Sequence, residues 1–161
     1  MDIDRTQGSS LLTETHSGSD CAVVDAEIAG AQPEELFQYW TNSQLITEWW
    51  PQEAEIEAHA GGAYVLRWPR MEWTLRGRYT EFMPAQRLGF TWYWDHEPDT
   101  PERQVSVIFE PLGATGTRIT VKHGIYTASA SDQDERRGHV EGWLYFLGRL
   151  SAACEAKLGS T

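Results

Sequence analysis

The sequence holds only two cysteines, Cys21 and Cys154, and neither belongs to a Cys-x-x-Cys pair or stands beside a histidine cluster. Both read as reduced thiols, because a lone cysteine usually behaves as a small hydrophobe. Positive charge is scarce too. Thirteen Lys and Arg face 24 Asp and Glu, for a formal net charge of −11 and a pI near 4.8. A nucleic-acid binder needs Lys and Arg to replace counterions on phosphates, so no nucleic-acid partner is expected. Docking on an anionic membrane is disfavoured for the same reason. No apolar run reaches the length of a membrane span. The first ten residues, MDIDRTQGSS, carry acids where a secretory leader needs positive charge and lack its apolar stretch. The expected location is cytoplasmic.

Catalytic signatures are also lacking. There is no Gly-x-Ser-x-Gly, no Cys–His arrangement and no strained glycine-rich elbow. Gly61-Gly62 is followed by a strand pattern rather than a helix N-terminus, so it has no phosphate-binding geometry. The five histidines, His16, His59, His96, His123 and His139, show no metal-ligand spacing. Neither a metal nor a cofactor is expected, and the chain reads more as a non-enzyme than as an enzyme.

What is abundant is tryptophan: eight in 161 residues, within a sequence that is 40% hydrophobic and 12% aromatic. This length suits one domain with a real core. Residues 1–20 are rich in Ser, Thr, Asp and Gly, with Leu11-Leu12 as the only adjacent apolar pair, and read as a mobile tail. The domain is expected over residues 21–161.

Ala22 to Ile28 reads as a first strand. Pro33-Glu34-Glu35 opens a helix, since proline fits the first turn and acids suit the positive end of the dipole. Asn42 or Ser43 caps a second short helix carrying Leu45, Ile46, Trp49 and Trp50, and Pro51 stops it. Six strand-like runs follow. They cover Ala54–Ala58, Ala63–Trp68, Trp73–Met83, Leu88–Trp94, Val105–Glu110 and Ile119–His123. Most alternate, one face apolar and the other polar. Their short connections favour antiparallel pairing. A single long helix spans about Ser131 to Leu158, roughly 40 Å, with Ser131 as N-cap. Its apolar stripe is Val140, Trp143, Leu144, Leu147, Leu150 and Cys154. The pattern predicts an α+β fold, in which a curved antiparallel sheet of six to seven strands wraps the C-terminal helix.

This order resembles the helix-grip fold of the START-like (SRPBCC) superfamily, which includes birch-pollen allergen-like proteins and polyketide cyclases. Within it the chain is most similar to the bacterial single-domain family named after the activator of the heat-shock protein ATPase. Four stretches carry the resemblance. They are Trp40-Thr41 with Leu45 and Trp49-Trp50; Gly77 to Phe82 with Pro84, Arg87-Leu88 and Phe90-Thr91-Trp92; Gly116 to Val121 with His123; and Gly142-Trp143 with Leu147 and Leu150. Together they cover about residues 21–158. Gly89 departs from the pattern, which has an aliphatic residue there. The resemblance implies the fold, but it brings no invariant catalytic set.

The candidate site is aromatic. Tyr64, Trp68, Trp73, Trp92 and Trp94 fall on the apolar faces of strands and Trp143 on the helix face. They are either plain core or the walls of a pocket for an apolar or aromatic ligand. Tyr79 and His123 complete the expected ligand-binding set as polar hooks. Glu81, in phase with Tyr79, reads as a half-buried carboxylate or a strand-end ion pair with a neighbouring arginine. His139 reads as solvent-facing or as a helix–sheet contact. The leading expectation is binding of a small hydrophobic or aromatic molecule in the sheet–helix cavity. The alternatives are a cyclase or lyase using a pocket acid–base residue, and a co-chaperone-like module in stress response with a protein partner. A homodimer is admitted as well.

Overall fold

The computed structural model describes residues 11–15 and 18–159. Eight strands form one antiparallel sheet in the order β1-β2-β8-β7-β6-β5-β4-β3. They are β1 (Leu11–Thr15), β2 (Cys21–Ile28), β3 (Glu53–Ile56), β4 (Ala63–Trp68), β5 (Trp73–Met83), β6 (Arg87–Trp94), β7 (Arg103–Leu112) and β8 (Gly116–Gly124). Between β2 and β3 lie two short helices, α1 (Pro33–Thr41) and α2 (Ser43–Ile46). The chain ends in α3 (Ala130–Gly159). This is the helix-grip arrangement: the curved sheet packs its apolar face on α3. Among the described residues no helix is long and apolar enough to cross a membrane.

The sheet has one strand more than the sequence suggests. Leu11–Thr15, read as part of a tail, pairs with β2 from Leu11↔Glu27 to Thr15↔Val23. Its ladder hydrogen bonds and the partly buried Leu12, packed against the core, hold it there, and an ion pair from Arg136 of α3 to Glu14 (3.2 Å) ties it to the helix. The rest of the expected tail is either outside the described residues or, at 18–20, a short exposed link. β2 in turn pairs along its whole length with β8, from Cys21↔Gly124 to Ile28↔Thr117.

Local chemistry sets the helix ends. Asn42 Oδ1 accepts from the Gln44 and Leu45 amides and so caps α2. The α2 helix itself stops at Ile46, and Thr47 to Trp50 continue as turns. At α3 the capping serine is Ser129, whose Oγ accepts from the Asp132 amide at 3.1 Å. Ser131, the expected cap, lies one residue inside the helix. The stripe Val140, Trp143, Leu147, Leu150 and Cys154 is buried against the sheet. From the sheet come Val24, Ala26, Ile28, Leu66, Leu75, Leu88, Phe90, Val105, Val107, Ile119 and Val121.

One irregularity redirects a candidate residue. The β5–β6 register shifts between Tyr79↔Phe90 and Glu81↔Gly89, so β5 carries an extra residue. After this bulge Phe82 turns inward, edge-on to Phe37 at 5.2 Å. Glu81 is thrown out of phase with Tyr79 and pairs with Arg87 at 3.3 Å, half-exposed. The bulge also accounts for Gly89. A Cβ there would lie 2.8 Å from Thr80 Oγ1 and 3.2 Å from Glu81 Cβ, so the bulged strand occupies the space an aliphatic residue would need.

Candidate functional site

The inward rings divide into two groups. Tyr64 and Tyr79 sit with Trp40, Ile46, Leu66, Leu88 and Phe90 around a space of about 10 Å³. That is barely room for one water centre, so this end of the interior is packed. Tyr64 is held by its hydroxyl, which donates to the Thr91 carbonyl at 2.6 Å across Gly77. A Cβ on Gly77 would meet the Tyr64 ring at 2.7 Å. Burial pushes both phenols above their ordinary pKa.

The second group lines a cavity of about 470 Å³ between the β4–β5 hairpin, the end of β6 and the middle of α3. Trp68, Trp73, Trp92, Trp94 and Trp143 are in its wall, joined by Trp50, Met71 and Phe146. Trp68 and Trp73 pair across the hairpin, whose turn is the 3₁₀ segment Pro69–Met71. Met71 (54% exposed) and Trp73 (38%) lie on the solvent side of the wall. On the helix, Gly138, His139 and Gly142 complete the lining. Gly138 and Gly142 stand one turn apart, and a Cβ built on either meets nothing within 4 Å. The room in the cavity thus comes in part from side chains the helix does not have.

All eight tryptophans belong to one connected ring network. Trp50 is its hub, stacked near Trp92 (5.9 Å) and Trp49 (5.4 Å) and tilted against Trp143 (5.2 Å). Trp40 joins through Trp143 at 5.8 Å, and Trp68 and Trp73 join through Trp94. The Trp68 indole donates to the Trp50 carbonyl at 3.2 Å, which locks the hairpin to the α2–β3 connection.

Behind the wall lies a histidine pair. His123 on β8 is fully buried and does not line the cavity. Its Nδ1 accepts the Trp143 indole N–H at 3.0 Å. Indole nitrogen only donates, so Nδ1 carries no proton and the neutral ring holds its hydrogen on Nε2. That Nε2 has no partner among the described residues. The His123 ring stacks on His139 with centroids 4.0 Å apart and planes 9° from parallel. His139 faces the cavity, and its Nδ1 lies 2.7 Å from the Tyr126 hydroxyl. Burial, with help from nearby His139 and Arg103, holds His123 well below the usual histidine range. Burial also pushes His139 down to about 4, against a partial opposing pull from Glu135. Both rings are therefore uncharged at neutral pH.

The nearest strong cation is shielded from the cavity. Arg103 is 5% exposed, and its guanidinium is taken up by Glu135 (2.7 Å), Asp132 (3.1 Å) and the Ile125 carbonyl, under the Tyr126 ring. Among the described residues no Asp, Glu, Lys or Arg lines the cavity. Among the described residues no group of three His, Cys, Asp or Glu could hold a metal ion.

Of the eight residues expected to bind a ligand, the structure brings five together on the cavity wall: Trp68, Trp73, Trp92, Trp94 and Trp143. His123 stands one ring behind it, and Tyr64 and Tyr79 belong to the packed end. Sequence reasoning missed Trp50 and Met71 as lining and, on α3, Gly138, His139, Gly142 and Phe146. The spacing of these helix residues, of one and two turns beside the Trp143 stripe, was the available signal.

A family profile described as Activator of Hsp90 ATPase homolog 1-like protein matches residues 30–155. No curated protein matches the chain. Among solved structures the chain is similar to a protein from Rhodobacter sphaeroides at 20% identity and TM-score 0.74, covering 91% of this chain and 99% of that one. It is similar to a protein from Mycobacterium smegmatis at 18% identity and TM-score 0.71, covering 89% and 96%. It is also similar to an HSP90 activator from Plasmodium falciparum at 21% identity and TM-score 0.64, covering 87% and 96%. At these identities the likeness is one of fold.

Proposed function

The chain belongs to the family of Activator of Hsp90 ATPase homolog 1-like proteins, and on that premise we propose that it binds a small aromatic or hydrophobic molecule in the tryptophan-walled cavity. The observation that carries this reading is the cavity itself. At about 470 Å³ it falls within the range of roughly 300–1,000 Å³ usual for small-molecule sites. A helix-interior glycine costs about 1 kcal/mol relative to alanine, yet Gly138 and Gly142 stand where side chains would fill the space. Six indoles supply flat, polarizable area, which favours a planar apolar ligand.

Catalysis on this scaffold would need two polar groups converging on the reacting atoms. Among the described residues the wall offers one titratable side chain, His139. Binding is therefore the better supported reading.

Because six of the eight tryptophans line the cavity, intrinsic fluorescence reports on its contents. A panel of planar aromatic and polyketide-like compounds should yield at least one saturable change in emission together with a raised melting temperature, as ligand linkage requires. If no compound shifts either signal, the proposal fails.

A further inference from the structure

The cavity wall is uncharged, and His139 is its one imidazole among the described residues. We infer that His139 donates a hydrogen bond from Nε2 to a carbonyl oxygen of the bound molecule, so that the cavity selects uncharged planar aromatics bearing a ketone over their hydrocarbon counterparts. This rests on the binding role proposed above and adds to it the ligand's polar group and the residue that reads it.

His139 is one of the cavity-lining residues, between Gly138 and Gly142 on α3. One ring nitrogen, Nδ1, is engaged by the Tyr126 hydroxyl at 2.7 Å. The other, Nε2, is 3.9 Å from Glu135 Oε2, too far for a hydrogen bond. A carboxylate at that distance repels a lone pair and favours a proton on Nε2. The phenol O–H then donates to Nδ1, which is the tautomer this arrangement stabilises. Stacking on His123 and edge contact with Trp92 at 5.5 Å fix the ring plane. His139 thus lines the cavity between Gly138 and Gly142 with an Nε2 that has no acceptor within hydrogen-bond distance among the described residues.

Two of the wall's other donors are committed elsewhere, whereas the indole N–H groups of Trp50, Trp73 and Trp94 make no hydrogen bond among the described residues. The Trp143 indole N–H is spent on His123, and that of Trp68 on the Trp50 carbonyl. The Trp92 nitrogen is buried rather than open to the cavity. Arg103 is neutralised by two carboxylates. An anionic ligand would find no cation to replace its water, whereas a ketone needs only one donor.

The test uses 9-fluorenone and fluorene, which share a ring frame and differ at the carbonyl. Affinities are measured by titration calorimetry on the full chain. Wild-type protein should bind fluorenone about three- to tenfold more tightly than fluorene, the range expected of one hydrogen bond. His139→Phe, which keeps a ring against His123, should erase that ratio, with the larger loss falling on fluorenone. His139→Gln should restore part of it, and Tyr126→Phe, which frees the tautomer, should lower it. If His139→Phe fails to fold, the Gln and Tyr126→Phe variants carry the comparison. An unchanged ratio in the variants overturns the assignment of His139 and leaves the binding role standing, as does loss of both ligands in His139→Phe, since the residue would then act on cavity shape. Failure of both compounds to bind wild type, together with a silent ligand panel, overturns the binding role and this inference with it.

Discussion

The His123 and His139 rings stack face to face, 4.0 Å apart and 9° from parallel, across the junction of β8 and α3. Two imidazoles that close would repel if both were charged, and burial disfavours the charge on either. The unfolded chain, with histidines near 6.5, takes up protons that the folded chain refuses. The unfolded state therefore binds more protons as pH falls, and stability declines with it. The decline should begin near pH 6.5 and continue toward about 4, the His139 value. Each histidine contributes up to about 1.4 kcal/mol per pH unit in that window. Urea melts between pH 7.5 and 4.5 should show this slope, and His139→Phe should reduce it.

Trp143 serves the core and the cavity at once. It is 3% exposed, its indole N–H holds His123, and its ring still borders the open space. Trp143→Phe should cost about 1–3 kcal/mol, because it leaves buried His123 Nδ1 without a partner. Trp143→Ala should cost about 3–5 kcal/mol. Chemical denaturation separates the two values. A cost near zero for Trp143→Phe would mean that the indole–imidazole bond contributes nothing.

Gly89 faces the β5 bulge, where a Cβ has no room. Gly89→Val, which restores the aliphatic residue expected there, should destabilise the domain by about 1–3 kcal/mol through overpacking. Gly138→Ala is the matched control, since its Cβ meets nothing within 4 Å. It should gain up to about 1 kcal/mol from helix propensity. Paired thermal melts check both signs.

Much of the architecture was legible because burial imposes a period. Leu88, Phe90 and Trp92 alternate at the sheet period and are buried. Val140, Trp143, Leu147 and Leu150 follow the helical one and are buried too. What periodicity misses is structure held by something else. Leu11–Thr15 is fixed by ladder bonds and by one partly buried leucine, Leu12, too short an apolar signal to stand out from the polar residues around it. The Thr80 bulge adds one residue to β5, which no alternation can reveal, and so Glu81 points away from the interior. At the site the indoles announced themselves. The cavity they surround depends on Gly138 and Gly142, and in an apolar stripe a glycine reads as a gap. His139, between them, read as a surface residue or a helix–sheet contact and is the latter, whereas His123 looked inward and proved to be the support behind it.

The most direct test fills the cavity from the helix side. Gly142→Leu adds a side chain where a Cβ meets open space, on a position that favours leucine over glycine for helix formation. Tryptophan emission is then titrated with the tightest ligand found for the wild-type protein. The predicted result is saturable binding to wild type, binding weakened at least tenfold in Gly142→Leu, and a melting temperature equal to or above that of wild type. Equal affinity in the two proteins would contradict the claim that the space beside α3 is the binding site.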